Sequence, residues 1–333
     1  MEHQELLRQV EAMQETVSTL TALAAQPIRP VSTPKTSSKS RNPAVRHAVA
    51  CAMFSDWHIE ETVEPEKVNG LNEYNLRIAQ QRVDRVVDGY LWLLDLCRQR
   101  FSIDTGLIWL GGDLFSGYIH EELVETAACS PIESILKLYD ILVQVLPRIV
   151  EQGNLERLIV PCSVGNHGRT TQKRRVATRH ENSYEWLLYS MLARTFAGSK
   201  IEVSAPKSAL TYVHLYGTKL RFTHGDQIRY EGGIGGLTIP ATKKVLRWNS
   251  GRFADVTCIG HHHQYRATHD LVVNGSLIGV TPYALEIGAA YEPPQQAFFL
   301  VDSAHGLCLN TPIWAEGGEY LKRIFTASGL DLG

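Results

Sequence analysis

Two textures of hydrophobic and polar residues run along this chain. At the start, Leu6, Val10, Met13, Val17, Leu20 and Ala24 step by four and three alternately. That is a heptad seam with Val at two a positions and Leu or Met at d, a pattern compatible with a parallel dimer. About three heptads are present, close to the minimum for an independent helix. The alternative is an amphipathic helix docked on its own domain. Residues 26–45 are rich in Pro, Ser, Thr, Lys and Arg, and no acid occurs between Glu15 and Asp56. This stretch predicts a flexible, mildly basic linker.

From Arg46 onward the texture is that of an α/β domain. Val49 to Phe54 predicts a strand that delivers Ser55-Asp56-Trp57-His58. Leu76, Ala79, Val83, Val86, Tyr90, Leu91, Leu94 and Cys97 then follow a helical period. A strand from Gly106 to Leu110 delivers Gly111-Gly112-Asp113. Ser130-Pro131-Ile132-Glu133 is a capping box with Pro at the first helical position. The helix it opens presents Ile135, Leu136, Tyr139, Leu142 and Leu146 on one face, with Pro147 expected to kink or end it. The apolar run Leu158 to Val164 predicts a buried strand leading into Gly165-Asn166-His167, and a helix is expected from Asn182 to Phe196. This alternation predicts a largely parallel central sheet with right-handed crossovers.

After Ile201 short apolar runs near 201–204, 209–216, 218–224, 255–260, 268–273 and 296–301 read as strands. Val213 to Phe222 suggests a hairpin turning near Gly217, so a second sheet is expected. The run from Glu231 to Gly236 is too glycine-rich for a regular element and reads as a loop. A short helix and tail are expected at the end. The expected division is 1–25 helix, 26–45 linker, 46–315 folded domain and 316–333 C-terminal helix and tail.

Composition narrows this picture only slightly. The 333 residues are 44% hydrophobic, enough for a substantial core, and carry a formal charge of −2, so any preference for a polyanion must be local. Six scattered cysteines without a CxxC pair suggest reduced thiols and a cytoplasmic compartment. The acidic start Met1-Glu2-His3-Gln4-Glu5 lacks the features of a signal peptide. No 18-residue apolar stretch exists, so no membrane span is expected.

The strand ends carry the chemistry. Asp56, His58, Asp113, Asn166, His167, His224, His261 and His263 supply two carboxylates, one amide and five imidazoles. Alone, Gly165-Asn166-His167 reads more readily as a turn that uses Asn and Gly for backbone reasons. Collectively these donors are too many for one tetrahedral metal site and suit two adjacent divalent cations. Such a pair clamps the oxygens of a phosphoryl displacement and makes hydroxide available near neutral pH. Mixed N/O ligands without thiolate fit Mn, Fe or Zn better than Ca.

In their order, Asp-x-His, Gly-Asp, Gly-Asn-His, His-Gly and Gly-His-x-His resemble the calcineurin-like metallophosphoesterase superfamily. The resemblance covers about Ala48 to Gly275. It implies an α/β fold: a four-layer αββα sandwich of two mixed β-sheets flanked by helices. It implies that Asp56, His58 and His263 bind one metal, with Mn the first choice. Asn166, His224 and His261 would bind the other, Asp113 would bridge them, and His167 would contact the scissile phosphate and assist the leaving group. Asn274-Gly275-Ser276 resembles the Asn-Gly-Ser that follows the last motif in nuclease-like branches, and the overall motif pattern is similar to the DNA-repair exonuclease branch.

Three positions depart from that pattern. Gly168 and then Arg169 stand where an acid usually follows Gly-Asn-His, so His167 is expected to lean on another partner. Leu114-Phe115-Ser116-Gly117 lacks the usual acid after Gly-Asp. His262 fills the variable place in Gly-His-x-His, either touching substrate or facing solvent. The other histidines, His120 among them, read as ordinary surface or core residues.

Arg169, Lys173, Arg174, Arg175 and Arg179 follow His167 with no acid before Glu181. A solvated charged face is the plain reading. Their place beside a phosphate-cleaving centre favours contact with flanking phosphates of a polynucleotide. Arg169, Lys173, Arg174 and Arg175 are therefore the candidate substrate contacts. Lys243, Lys244 and Arg247 form a second cluster, and Tyr118, Tyr230 and Trp248 could stack on bases. The expected activity is a metal-dependent phosphodiesterase, a nuclease acting on DNA. A phosphatase or small-molecule phosphodiesterase of the same fold is the alternative, and a non-catalytic scaffold is the third reading. Self-association through residues 1–25 is the expected assembly.

Overall fold

Strand β1 (Arg46–Phe54) turns alternate side chains to opposite faces of its sheet, and both faces are apolar. Ala48, Ala50, Ala52 and Phe54 pack on one side, and Val49, Cys51 and Met53 on the other. A strand buried on both faces lies between two layers, and that position organises the fold. The structure is a computed structural model that describes residues 46–229 and 236–317. The heptad helix, the linker, Tyr230, most of the glycine-rich loop and the tail from residue 318 lie outside the described residues.

β1 is the third strand of a six-stranded sheet ordered β11-β10-β1-β2-β3-β4. β2 (Phe101–Leu110), β3 (Arg157–Pro161) and β4 (Ile201–Ser204) run parallel to β1, as the strand–helix alternation predicts. β10 (Gln295–Asp302) and β11 (Gly306–Trp314) add an antiparallel edge, so the sheet is mixed. β11 escapes the sequence pattern because Asn310, Thr311 and Pro312 interrupt its alternation. An edge strand tolerates such a proline.

Helices α1 (Leu76–Arg98), α3 (Pro131–Gln152) and α4 (Tyr184–Thr195) pack on the outer face of this sheet, and a short α2 (Glu121–Thr126) precedes α3. Asn75 caps α1 by accepting from the Ile78 amide at 3.1 Å. The capping box at Ser130 and Glu133 opens α3 as expected. Pro147, expected to kink or end α3, lies within it. The helix continues to Gln152 because Ile149 and Val150 beyond the proline are buried. Leu136, expected on the buried face, is 54% exposed, and Leu138, Val145 and Ile149 join Ile135, Leu142 and Leu146 in the core instead.

The second sheet has the order β5-β6-β7-β9-β8, with β5 (Thr211–Leu215), β6 (Thr218–Thr223), β7 (Val256–Ile259), β8 (Arg266–Ala267) and β9 (Leu271–Val273). β5 and β6 form the expected hairpin, and Tyr216 and Gly217 turn it with φ of 48° and 89°. Of the run expected at 268–273 only Leu271–Val273 is strand, and it pairs antiparallel with β8, which lies just before the run. The inner faces of the two sheets meet through Val49, Met53 and Trp109 against Leu220, Phe222 and Val272. Helix α5 (Thr238–Gly251) buries Ala241 and Val245 against Ile259, Leu271 and Val273 on the far face. The order of layers is therefore helix, sheet, sheet, helix. A one-turn α6 (Pro282–Glu286) completes the described elements. None of the six cysteines is in a disulfide. No described helix is long and apolar enough to cross a membrane.

Candidate metal centre

Each sequence motif sits just beyond the carboxyl end of a strand, where open α/β sheets collect their ligands. Asp56 and His58 follow β1, Asp113 follows β2, and Asn166 and His167 follow β3. His224 follows β6, and His261 and His263 follow β7. The chain has to turn sharply to aim these side chains back across the strand ends. Eight described non-glycine residues have positive φ, and five are candidate ligands: Asp56 (56°), His58 (47°), Asp113 (50°), His261 (69°) and His263 (52°). A left-handed residue of this kind costs on the order of 1–3 kcal/mol and persists where its surroundings overdetermine it.

The bracing is visible in the backbone. The Asp56 amide donates to Gly112 O at 3.0 Å, and the His58 amide to Asp113 O at 3.2 Å. Asp56 Oδ1 accepts from the His261 amide, and Asp113 Oδ1 from the His167 amide, each at 2.9 Å. The turns after β2 and β3 touch backbone to backbone. A Cβ on Gly112 would stand 2.3 Å from Gly165 N, and one on Gly165 would stand 1.9 Å from Asp113 Oδ1. Gly165 is there for space, and Gly112 both for space and for its φ of 88°. Asn274 braces the site from beneath: its Nδ2 donates to Ser55 Oγ at 2.8 Å, and Ser55 donates to Asp56 Oδ2 at 2.5 Å.

Seven candidate ligands converge. Asp56, His58 and His263 bring one ligand atom each within 4.8 Å of one another, and Asp113, His224 and His261 do the same. Asn166 joins the second group, its Oδ1 lying 3.1 Å from His224 Nε2. His224 Nδ1 lies 2.8 Å from Gly111 O, a carbonyl that can only accept. That fixes the proton on Nδ1 and turns a lone pair on Nε2 toward Asp113 Oδ2, 2.9 Å away, and toward Asn166 Oδ1. His58 repeats the arrangement. Its Nδ1 faces Ser116 Oγ at 2.6 Å and the Glu61 carboxylate at 3.3 Å, and its Nε2 faces His263 Nε2 at 3.3 Å. In their neutral forms these imidazoles aim lone pairs at one another and at Asp113, an arrangement that a proton or a metal cation between them satisfies. The donor sets fit divalent ions, and Gly111 O and Ser116 Oγ hold the imidazoles of His224 and His58 in the tautomer a metal requires.

The electrostatics agree. Burial alone pushes the His224 imidazole down, but Asp113 against it lifts it to about 10. Burial opposes protonation of His58 too, and Glu61, Asp113 and Asp56 raise it to about 9. Burial raises the Glu61 carboxyl, yet the hydrogen bond and charge of His58 bring it down to about 2. The carboxylates thus favour positive charge at His58 and His224, whereas burial and the neighbouring His224 push His261 down to about 3. His167 belongs to neither group. Its ring is 4.9 Å from that of His58, its Nδ1 lies 3.3 Å from Ser116 O, and burial pushes it down to about 4. Ser116 O is the partner on which His167 leans in place of a following acid.

Three residues escaped the sequence reading. Glu61 stands beside His58 and bonds Ser116 Oγ, a role no motif announced. Glu60 is buried, and its Oε1 accepts from the Ser116 and Gly117 amides, both at 2.8 Å, pinning the turn after Asp113. That turn leads to His120, read above as an ordinary histidine, whose exposed ring is 6.2 Å from the ring of His167. Only spatial proximity reveals it.

The basic run is partly engaged within the fold. Arg169 donates to the carbonyls of Thr171, Gln172 and Asn166, so it secures its own loop rather than facing solvent. Arg174 and Arg179 pair with Asp226, and Arg179 also donates to Val164 O at 2.6 Å. Among the described residues no ion pair involves Lys173 or Arg175. Arg175 lines a recess with Asn166, Arg169, Arg174 and Arg179. His262 is half-buried rather than a solvent-facing spacer, its ring 5.0 Å from that of His261. Trp248 is packed under Arg221 and Lys244, at 5.7 and 5.6 Å, whereas Tyr118 is exposed.

The layered architecture places at its strand ends, in order, the five motifs by which the sequence resembles the calcineurin-like metallophosphoesterase superfamily. No protein-family model and no curated protein matches the chain. Among solved structures it is similar to Vps29 of Entamoeba histolytica complexed with zinc, at 12% identity and a TM-score of 0.31, covering 79% of this chain and 99% of that one. It is similar to a predicted phosphoesterase of Streptococcus pneumoniae, at 12% identity and a TM-score of 0.30, covering 80% and 98%. It is also similar to the calcineurin-like phosphoesterase YfkN of Bacillus subtilis, at 9% identity and a TM-score of 0.30, covering 85% and 97%. Likenesses this distant bear on neither activity nor substrate.

Proposed function

We propose that this protein is a metal-dependent phosphodiesterase that cleaves polynucleotides, with DNA as its substrate. The observation that carries the metal is the pair of buried donor clusters whose lone pairs face one another. Asp56, His58 and His263 would hold one divalent ion, Asn166, His224 and His261 the other, and Asp113 would bridge them. Manganese is the first choice, with iron or zinc as alternatives, because the donors are imidazole, carboxylate and amide without thiolate. When bound, two such ions neutralise charge on the phosphoryl oxygens and activate water. His167 stands outside both donor groups, close enough to His58 to meet a phosphate held there, and it would assist the leaving group.

The polynucleotide reading rests on the cations beyond His167. Among the described residues Lys173 and Arg175 have no ion pair, and they lie on the segment leaving the site, where flanking phosphates of a strand would pass. A phosphomonoester offers no second phosphate to such groups. The alternatives are a phosphatase or small-molecule phosphodiesterase built on the same centre, and a binding scaffold without catalysis.

One experiment separates them. Protein loaded with Mn is analysed for metal and then given single-stranded DNA, duplex DNA, RNA, a chromogenic diester and a phosphomonoester. About two ions per chain and DNA cleavage are expected, with both reduced in Asp113→Ala. Hydrolysis of monoesters alone would replace the nuclease reading with a phosphatase. Bound metal without hydrolysis of any substrate would leave a scaffold.

A further inference from the structure

The turns carrying Asp113 and Asn166 belong to neighbouring strands, and their relative position decides whether the second donor cluster forms. One side chain spans them. Glu185, in the first turn of α4, is fully buried. Its Oε1 accepts from the Leu114 amide at 2.8 Å, and its Oε2 from the Gly165 amide at 2.6 Å. Each amide is one residue from a candidate ligand, Asp113 or Asn166. We propose that Glu185 is a positioning residue, a carboxylate clamp that holds these two turns in register for metal binding. This rests on reading the clusters as metal sites.

Two independent features support the assignment. The first is how the glutamate is delivered. The Tyr184 amide donates to Gly168 O at 2.9 Å, and the Thr170 amide to Asn182 O at 3.0 Å. Ser183 caps α4 by accepting from the Trp186 amide. The start of α4 is therefore sewn to the segment just after His167, and Glu185 enters at a fixed point. The second is Gly168 itself. Its backbone is not left-handed, so conformation does not require glycine there. Space does: a Cβ would stand 2.9 Å from Glu185 Cγ, 3.2 Å from its Cδ and 2.8 Å from Phe115 Cε1. The chain has no acid directly after His167, and a carboxylate from α4 occupies the adjoining volume.

Charge-assisted bonds from two backbone amides to one carboxylate are strong and directional. Glu185→Gln preserves volume but sets an amide NH2 group against one backbone N–H. Removing an outer partner of a metal centre typically weakens metal binding about 10–100-fold. The test is Mn affinity by titration calorimetry, together with the melting temperature of metal-free protein. Wild type, Glu185→Gln, Glu185→Ala, Gly168→Ala, Gly168→Asp and the double variant Glu185→Ala/Gly168→Asp would be compared. Glu185→Gln and Glu185→Ala are expected to bind Mn about 10–100-fold more weakly. Gly168→Ala keeps the carboxylate but displaces it, and should weaken Mn binding; its Cβ also crowds the buried Phe115, so the metal-free melting temperature should fall as well. Gly168→Asp alone should also weaken binding by crowding Glu185. The double variant should recover most of the loss, because a carboxylate grown from residue 168 enters the volume Glu185 vacates. Such coupling is what a double-mutant cycle detects between contacting residues. Wild-type affinity in both Glu185→Gln and Gly168→Ala would overturn the clamp, as would a double variant no better than Glu185→Ala. If wild type itself binds no Mn, the metal reading falls, and the clamp with it.

Discussion

Replacing Lys173 and Arg175 with Ala tests the polynucleotide reading most directly. Of the cations beyond His167, Arg169 is spent on backbone carbonyls, and Arg174 and Arg179 on Asp226, which leaves two for phosphates. Each phosphate neutralised contributes about 0.9 to the log–log salt slope on duplex DNA and about 0.7 on a single strand. Removing both cations should therefore flatten the slope by about 1.8 or about 1.4 units. Between 50 and 200 mM salt, wild type should then lose affinity roughly 10-fold more than the double variant. The assay is KM for an oligonucleotide across that range at fixed Mn, beside turnover of a small chromogenic diester. The diester should be unaffected, because the donor clusters and His167 are untouched. An unchanged slope, or equal slowing of both substrates, would refute the reasoning. Arg174→Ala is the contrast, since it disrupts a pair with the buried Asp226 side chain and should lower thermal stability instead.

Further outcomes follow from other parts of the molecule. His167→Ala should slow turnover by about 10²–10⁴-fold while metal analysis still finds both ions, because His167 lies outside both donor groups and its amide bond to Asp113 survives. Loss of an ion in that variant would make His167 a ligand. Arg82 is buried and donates to Leu277 O at 2.8 Å, Ile278 O at 2.7 Å and Glu316 at 2.5 Å. Arg82→Ala should destabilise the protein by about 3–5 kcal/mol in denaturant unfolding, and a change below about 1 kcal/mol would show that the network is dispensable. The heptad seam predicts that deleting residues 1–40 lowers the oligomeric state in light scattering without altering cleavage of a short substrate, whereas an unchanged oligomeric state would favour a docked helix.

What could be read from the sequence about this protein is what neighbouring residues decide among themselves. Strand β1 betrays its two buried faces by an unbroken apolar run. The capping box at Ser130 announces α3 by bonds that span three residues. The ligands are legible for the same reason, since each lies within a few residues of a strand end and the strand fixes where it goes. The tertiary structure decided the rest because the partners lie far apart in sequence. The charge of Arg174 is evident from its identity, but whether that charge is free depends on Asp226, 47 residues from Arg179 and 52 from Arg174. His120 reads as a surface histidine until a turn pinned by Glu60 brings it beside His167. Gly168 looks like a missing acid until α4 brings Glu185 into the same volume. Periodicity reports which face of an element is apolar and a motif reports which donors are present. Neither reports what packs against them, because that is set by long-range packing between elements whose order in space differs from their order in the chain.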